Sequence, residues 1–242
     1  MFLEIFKVNK PILAMLHLKG ATHAERLDHV LREADIYAQN GVDAMIVEDY
    51  FGDALDVELA LKLLRKQRPS YTLGVNVLDN FPLSYRLAQE YAVPFIQVDS
   101  VCGHLPPDRE QKYFGMIDHY RSQASVAVIG GVRFKYQPIL SGRSLEEDLK
   151  LGMQRCDAIA VTGAGTGLNT DLEKIKVFRA VLGDFPLVVA AGMDQSSIPE
   201  KLSICDAAIV GSTFKDTRKD TGDVCGQHVK SFMDEVKRWF RA

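Results

Sequence analysis

The chain has 242 residues, of which 47% are hydrophobic and 25% charged, with a formal net charge of −3. That composition is ordinary for a globular protein, and the length suffices for one large core. The charge leaves no basic footprint for nucleic acid or an anionic membrane surface, and no apolar run nears the roughly 20 residues of a spanning helix.

In chain order, "PILAMLH" (11–17) reads as a first strand. "AERLDHVLREADIYAQN" then carries Leu27, Val30, Leu31, Ala34 and Ala38 on one helical face and is stopped by Gly41. The pairs continue with strand "DAMIVE" and helix "LDVELALKLLRKQ", then strand "TLGVNV" and helix "PLSYRLAQEYA", where Pro82 suits a first turn. Strand "FIQVD" ends at Asp99, and the segment "LPPDREQKYFGMIDHYR" leads to a long fifth strand, "SVAVIGGVRFK". Ser144 followed by Glu147 predicts a capping box at the head of "SLEEDLKLGMQR". "DAIAVTG", "PLVVAAG" and "DAAIVGS" supply three more strands, each followed by a helical segment. In the last helix Phe232, Met233, Val236 and Phe240 recur at helical spacing, a face for core packing or subunit contact.

Eight strand–helix pairs at about 30 residues each predict an α/β fold, a single (β/α)8 TIM barrel in one domain over 1–242. The strands are continuous Val/Ile/Ala runs, as parallel strands buried on both faces should be. A doubly wound open sheet is the alternative that alternation alone leaves open. The N-terminus lacks a signal-peptide layout, and the four cysteines form no C-x-x-C pair, so a reduced, cytoplasmic protein is expected.

Active sites of such barrels lie at the C-terminal strand ends. The first five strands end in ionisable or amide residues: His17, Glu48 with Asp49, Asn76, Asp99, and Arg133 with Lys135. The last three end in glycine and hydroxyl residues: Thr162 and Gly163, Gly192, and Gly211 with Ser212. Glycines there leave backbone N–H groups open to an anion, and the loops after strands 7 and 8 are this fold's recurring phosphate site. Taken one at a time, such glycines more often only make turns. Thr213 and Lys215 add a hydroxyl and a charge to that end. The candidate phosphate-binding residues are therefore Gly163, Gly192, Gly211 and Ser212.

On the charged side, His17, Glu48, Asn76, Asp99 and Lys135 are the candidate catalytic residues. His17 or a carboxylate can transfer protons, and Lys135 can polarise a carbonyl or form a Schiff base. The blander readings are a hydrogen-bonded core histidine and a lysine spent on an ion pair with Glu48 or Asp99. Glu48, Asp49 and Asp53 with Asp99 nearby form a set that can hold one Mg²⁺ beside a substrate phosphate, without any fixed metal-ligand spacing. "GAGTG" (163–167) lacks the Lys-Ser/Thr of a P-loop and reads as a loop able to close over ligand.

The blocks "AMLHL", "GVDAMIVEDYFGDA", "GVNVL", "VRFK", "DAIAVTGAGTGLNTDLEKIK" and "DAAIVGSTFK" resemble the BtpA family across nearly the whole chain. The resemblance implies kinship with ribulose-phosphate-binding barrels. It also implies a link to photosystem I biogenesis and a nucleosidase label among relatives, but no settled catalytic residues. Two mouth segments depart from the family pattern. "KGATHAER" replaces a Pro- and Gly-rich stretch after the first strand, and "CGHLPPD" follows the fourth. A different substrate on a shared phosphate handle is the expectation.

The leading expectation is an enzyme acting on a phosphorylated sugar or nucleotide-like metabolite, with lyase, isomerase and glycosidic hydrolase chemistry all open. A non-catalytic assembly or regulatory scaffold is the alternative, to be recognised by a mouth plugged by Tyr50, Phe51 or the His104 loop. A phosphorylated small molecule is the expected partner, and the apolar last helix permits a homo-oligomer.

Overall fold

The computed structural model describes residues 2–241. Eight parallel strands close into a barrel in sequence order, β1 (Ile12–Leu16), β2 (Ala44–Glu48), β3 (Leu73–Asn76), β4 (Phe95–Cys102), β5 (Ala127–Val132), β6 (Ala158–Val161), β7 (Leu187–Val189) and β8 (Ala207–Val210). The last strand pairs with the first through Ile12 with Ala208 and Leu13 with Ile209, which leaves no free sheet edge. Helices α1 (His23–Gln39), α2 (Ala54–Gln67), α3 (Phe81–Glu90), α4 (Pro107–Arg121), α5 (Leu145–Arg155), α6 (Leu172–Leu182), α7 (Ile198–Ile204) and α8 (Gly226–Phe240) follow the strands in turn.

Alternation along the strands divides the core in two. Leu13, Met15, Ala44, Ile46, Ala127, Ile129, Ala158, Ala160 and Val188 pack inside the barrel, whereas Ala14, Met45, Val75, Val128 and Ile159 pack against the helices. A Cβ on Gly74 would lie 2.2 Å from the Phe95 ring, so that glycine makes room for a phenylalanine inside the barrel. Phe95 meets Phe2 at a centroid distance of 6.1 Å, and the short 3-10 helix Leu3–Ile5 follows Phe2. These aromatic rings join the inner core with Leu3, Ile5 and Phe6 packed against it.

Local signals set most helix starts. Thr22, Asp53, Asn80, Ser144 and Asp171 each accept a backbone N–H as N-caps, and the expected Ser144–Glu147 capping box is present. Three strands differ from expectation, and of these β7 stops at Val189, short of Gly192. β5 stops at Val132 instead of running to Lys135, because Arg133 turns the backbone to φ +48°. β4 runs on to Cys102 through a register shift between Val98 and Cys102, a bulge that carries the strand past Asp99. The apolar face of α8 is consumed within the chain: Val229, Phe232, Met233 and Val236 are buried, and Phe232 packs edge-on to Phe214. It therefore gives no support to a subunit contact. No described helix is long and apolar enough to cross a membrane.

Candidate active site

The strand ends surround a cavity of about 140 Å³ at the C-terminal mouth. His17, Glu48, Asp99, Lys135, Gly192, Gly211 and Ser212 all line it. Asn76 and Gly163 do not, for different reasons.

His17 follows β1 and is 5% exposed. Its ring lies over Tyr50 at 4.9 Å and edge-on to Phe51 at 6.2 Å, and its Nδ1 has no hydrogen-bond partner among the described residues. Glu48 ends β2, and its Oε2 stands 3.6 Å from His17 Nε2. That separation is within ion-pair range but too long for a hydrogen bond. The pair is not an ion pair in charge terms. Burial, aided by Lys215 and Lys135, pushes the His17 pKa down to about 3, so the imidazole is neutral. Burial and then the nearby Asp99 charge push the Glu48 carboxyl in the opposite direction, up to about 8, so at neutral pH it keeps its proton.

Asn76 supports this arrangement from behind. Its Nδ2 donates to Glu48 Oε1 at 2.8 Å and to Asp99 Oδ1 at 3.2 Å, fixing the two carboxyl groups relative to each other. Asp99 is raised above its ordinary value, first by burial and against the hydrogen bonds from Asn76 and Gln97. Lys135 reaches the mouth on the turn after β5, not on the strand itself. Its backbone N–H donates to Thr162 Oγ1 at 2.9 Å and its Nζ to Thr166 Oγ1 at 3.0 Å. The ammonium forms neither of the ion pairs that the blander reading would give it; its charge acts on Glu48, Asp99 and His17 through space.

At the other end, Gly192 has φ +60°, and a Cβ there would lie 2.1 Å from the Leu168 carbonyl oxygen. Only glycine lets the loop after β6 lie on that strand end. Gly211 follows β8 beside His17, and Ser212 begins a 3-10 turn, Ser212–Phe214. Gly163 stands apart from the cavity, because its Cβ position is filled by the Asn169 carbonyl oxygen at 2.4 Å. Its smallness serves the packing of that loop. The Thr213 hydroxyl donates to the Met193 carbonyl. Lys215 is buried with its Nζ on Glu33 Oε1 at 2.7 Å, so it is not the phosphate cation that its position after Ser212 invites.

The four carboxylates considered for Mg²⁺ are not brought together. Asp49 accepts the Leu78 N–H, and Asp53 caps α2. Among the described residues the one group of acids and histidines close enough to share an ion is His23, Asp53 and Asp56. There Arg26 Nη1 already occupies Asp56 Oδ2 at 2.8 Å, and His23 bonds the other carboxylate oxygen.

Four polar lining residues are absent from the strand-end list as site groups: Gln97, Tyr136, Thr166 and, except as a plug, Tyr50. Gln97 was detectable, because it sits two residues before Asp99 on one strand and so shares its face. Tyr50 and Tyr136 lie on loops without periodicity. Tyr50 donates to Asp220 Oδ2 at 2.8 Å, and Tyr136 accepts the Thr166 N–H at 2.8 Å. They border the mouth, yet a cavity stays open between them. The His104 loop turns aside, with His104 on Ser100 Oγ at 2.7 Å and against Tyr113.

A sequence model of the BtpA family matches residues 8–238. The chain belongs to the BtpA family. An uncharacterized protein of Methanocaldococcus jannaschii is 27% identical over 96% of this chain and 97% of its own. The photosystem I biogenesis protein BtpA of Synechocystis is 24% identical, covering 88% of this chain and 83% of that one. Among solved structures, thiamine phosphate pyrophosphorylase from Pyrococcus furiosus superposes with a TM-score of 0.60 at 15% identity, over 95% of this chain and 96% of that one. Phosphoribosyl anthranilate isomerase from Thermus thermophilus gives 0.61 at 14% identity, over 94% and 98%. At such identities these likenesses establish the barrel fold alone.

Proposed function

We propose that this BtpA-family barrel is an enzyme acting on a phosphorylated small metabolite, with Glu48 as its general acid–base. One observation carries the reading: a buried carboxyl that keeps its proton at neutral pH lines the same cavity as Gly192, Gly211 and Ser212. A carboxyl with a pKa near the working pH can both give and take a proton, as general catalysis requires. The phosphate lies at the glycine end, on backbone N–H groups and the Ser212 hydroxyl, with Lys135 as the lysine of the cavity lining. That places the reacting carbon or oxygen near Glu48 and neutral His17, and Lys135 stabilises negative charge that develops there. Solved barrels of like fold named for phosphorylated substrates support the phosphate half of this reading.

Proton transfer by Glu48 is common to lyase, isomerase and glycosidic hydrolase chemistry. The test is a turnover screen over pentose, hexose and nucleoside phosphates with wild type, Glu48→Gln and Lys135→Met. Each variant is expected to lose about 10²–10⁴-fold of any activity found. Full turnover in both would overturn the assignment. A second reading, an assembly scaffold, draws on the small cavity and on the photosystem I biogenesis role for which the Synechocystis relative is named.

A further inference from the structure

Beside the mouth lies a second cavity, of about 280 Å³, in the region of the loops after β3 and β4. Gln97 and Asp99 line both cavities, so the two share a wall of side chains. Small-molecule sites commonly measure about 300–1,000 Å³, a range neither cavity reaches alone and the two reach together.

The second cavity carries two carboxylates beside polar side chains, of which Asn76, Ser84, Ser100 and His104 are already hydrogen-bonded within the chain. Asp79 and Asp99 bring carboxylates, and Asp79 is near enough to raise both Asp99 and Tyr113 through its charge. Gln97 is 5% exposed, and its Oε1 has no hydrogen-bond partner among the described residues. Its Nε2 faces Asp99 Oδ1 at 3.4 Å, so turning the amide over would set its oxygen against a carboxylate oxygen. The unfilled position is therefore an acceptor, and a buried acceptor left unpaired is costly. Phe81, Tyr113 and Met116 supply apolar and ring surface in the same lining. An anion would meet two carboxylates there, whereas an N–H donor would meet those two acceptors, with the unpaired Gln97 Oε1 buried in the wall between the cavities.

We propose that this second cavity is a subsite for a planar group bearing N–H donors, neutral or cationic, such as an amide, an amidine or an amino-substituted ring. The group donates to Gln97 Oε1 and to the Asp79 and Asp99 carboxylates, with its flat face against Phe81 or Tyr113. The subsite stands without the phosphate reading.

Benzamidine, benzamide and benzoate share a shape and differ in donor chemistry, which makes them suitable probes. Their binding to the intact chain would be followed by ligand-observed NMR and thermal unfolding, in wild type, Met116→Trp and Asp79→Asn. Benzamidine and benzamide are expected to bind and benzoate not to. Met116→Trp, which fills the cavity, should abolish binding, and Asp79→Asn should weaken benzamidine roughly tenfold by removing a charge. If the tryptophan variant does not fold, the asparagine variant decides. Benzoate binding as well as benzamidine, no benzamidine binding, or benzamidine binding unchanged in both variants would overturn the subsite. Inorganic phosphate added to the same samples separates the two claims. Phosphate failing to bind while benzamidine binds counts against the phosphate reading and leaves the subsite standing. One-for-one competition between them would overturn the separate-cavity assignment.

Discussion

At the residue scale, Glu48 and His17 tie function to stability with opposite signs. Glu48 has a folded pKa of about 8 against an ordinary 4.5, so the folded state holds a proton that the unfolded chain releases. Its contribution is intact below about 4.5 and is lost as pH rises toward about 8. His17, at about 3 against 6.5, does the reverse: the unfolded chain binds the proton first, and stability falls as pH drops from 6.5 toward 3. The two slopes oppose each other between about 4.5 and 6.5. Glu48→Gln should therefore raise the melting temperature at pH 8 while lowering turnover, by roughly 2–4 °C for each kcal/mol relieved. A lower melting temperature at pH 8 would show that the carboxylate is ionised and paired in the folded state. Gly192→Ala is expected to destabilise by more than about 1 kcal/mol, through its positive φ and the Leu168 carbonyl in its way. Denaturant unfolding would show it as a lower midpoint.

At the element scale, the legible part was what depends on local chemistry. Buried parallel strands, helix faces and the Ser144 cap follow from runs, spacing and capping residues that a chain segment carries by itself. The ends of β4 and β5 did not, because they are set by partners distant in sequence. Arg133 donates from Nε to Asp148 at 2.9 Å and from Nη2 to the Arg143 carbonyl at 2.5 Å. Arg143 in turn bonds Asp148 at 2.9 Å and Glu110 at 2.5 Å, and Arg155 bonds Glu110 at 3.1 Å. This network ends β5 early and swings Lys135 into the mouth. The hydrogen bonds from Arg143 and Arg155 hold the Glu110 carboxyl at about 2 against the desolvation that would raise it. Asp148→Ala should cost up to about 3 kcal/mol, the arginines being partly exposed, and should lower the melting temperature by several degrees. It should also reduce activity by loosening the Lys135 turn; an unchanged melting temperature would contradict the network's role. In the same way, the misreading of Lys215 came from position alone, since its partner Glu33 lies 182 residues away.

At the scale of the whole molecule, the barrel divides its labour. Aromatic rings from the N-terminal segment and Phe95 fill its interior, which leaves the small cavity at the other end as the site proposed for chemistry. Ionisable groups from the ends of the first, second, fourth and fifth strands and glycines from the ends of the last two converge there because the barrel closes. Placing a phosphate across that convergence is the central claim, and binding measured by thermal unfolding tests it most directly. The panel would contain inorganic phosphate, pentose and hexose phosphates and nucleoside monophosphates, each beside its unphosphorylated counterpart. A ligand at 100 times its Kd should add about 2.7 kcal/mol, which at this length is a rise of roughly 5–10 °C. The account predicts that rise for phosphorylated compounds only, and its loss in Ser212→Asp, where a carboxylate repels the anion. Equal shifts with unphosphorylated compounds, or none with any phosphate, would contradict it.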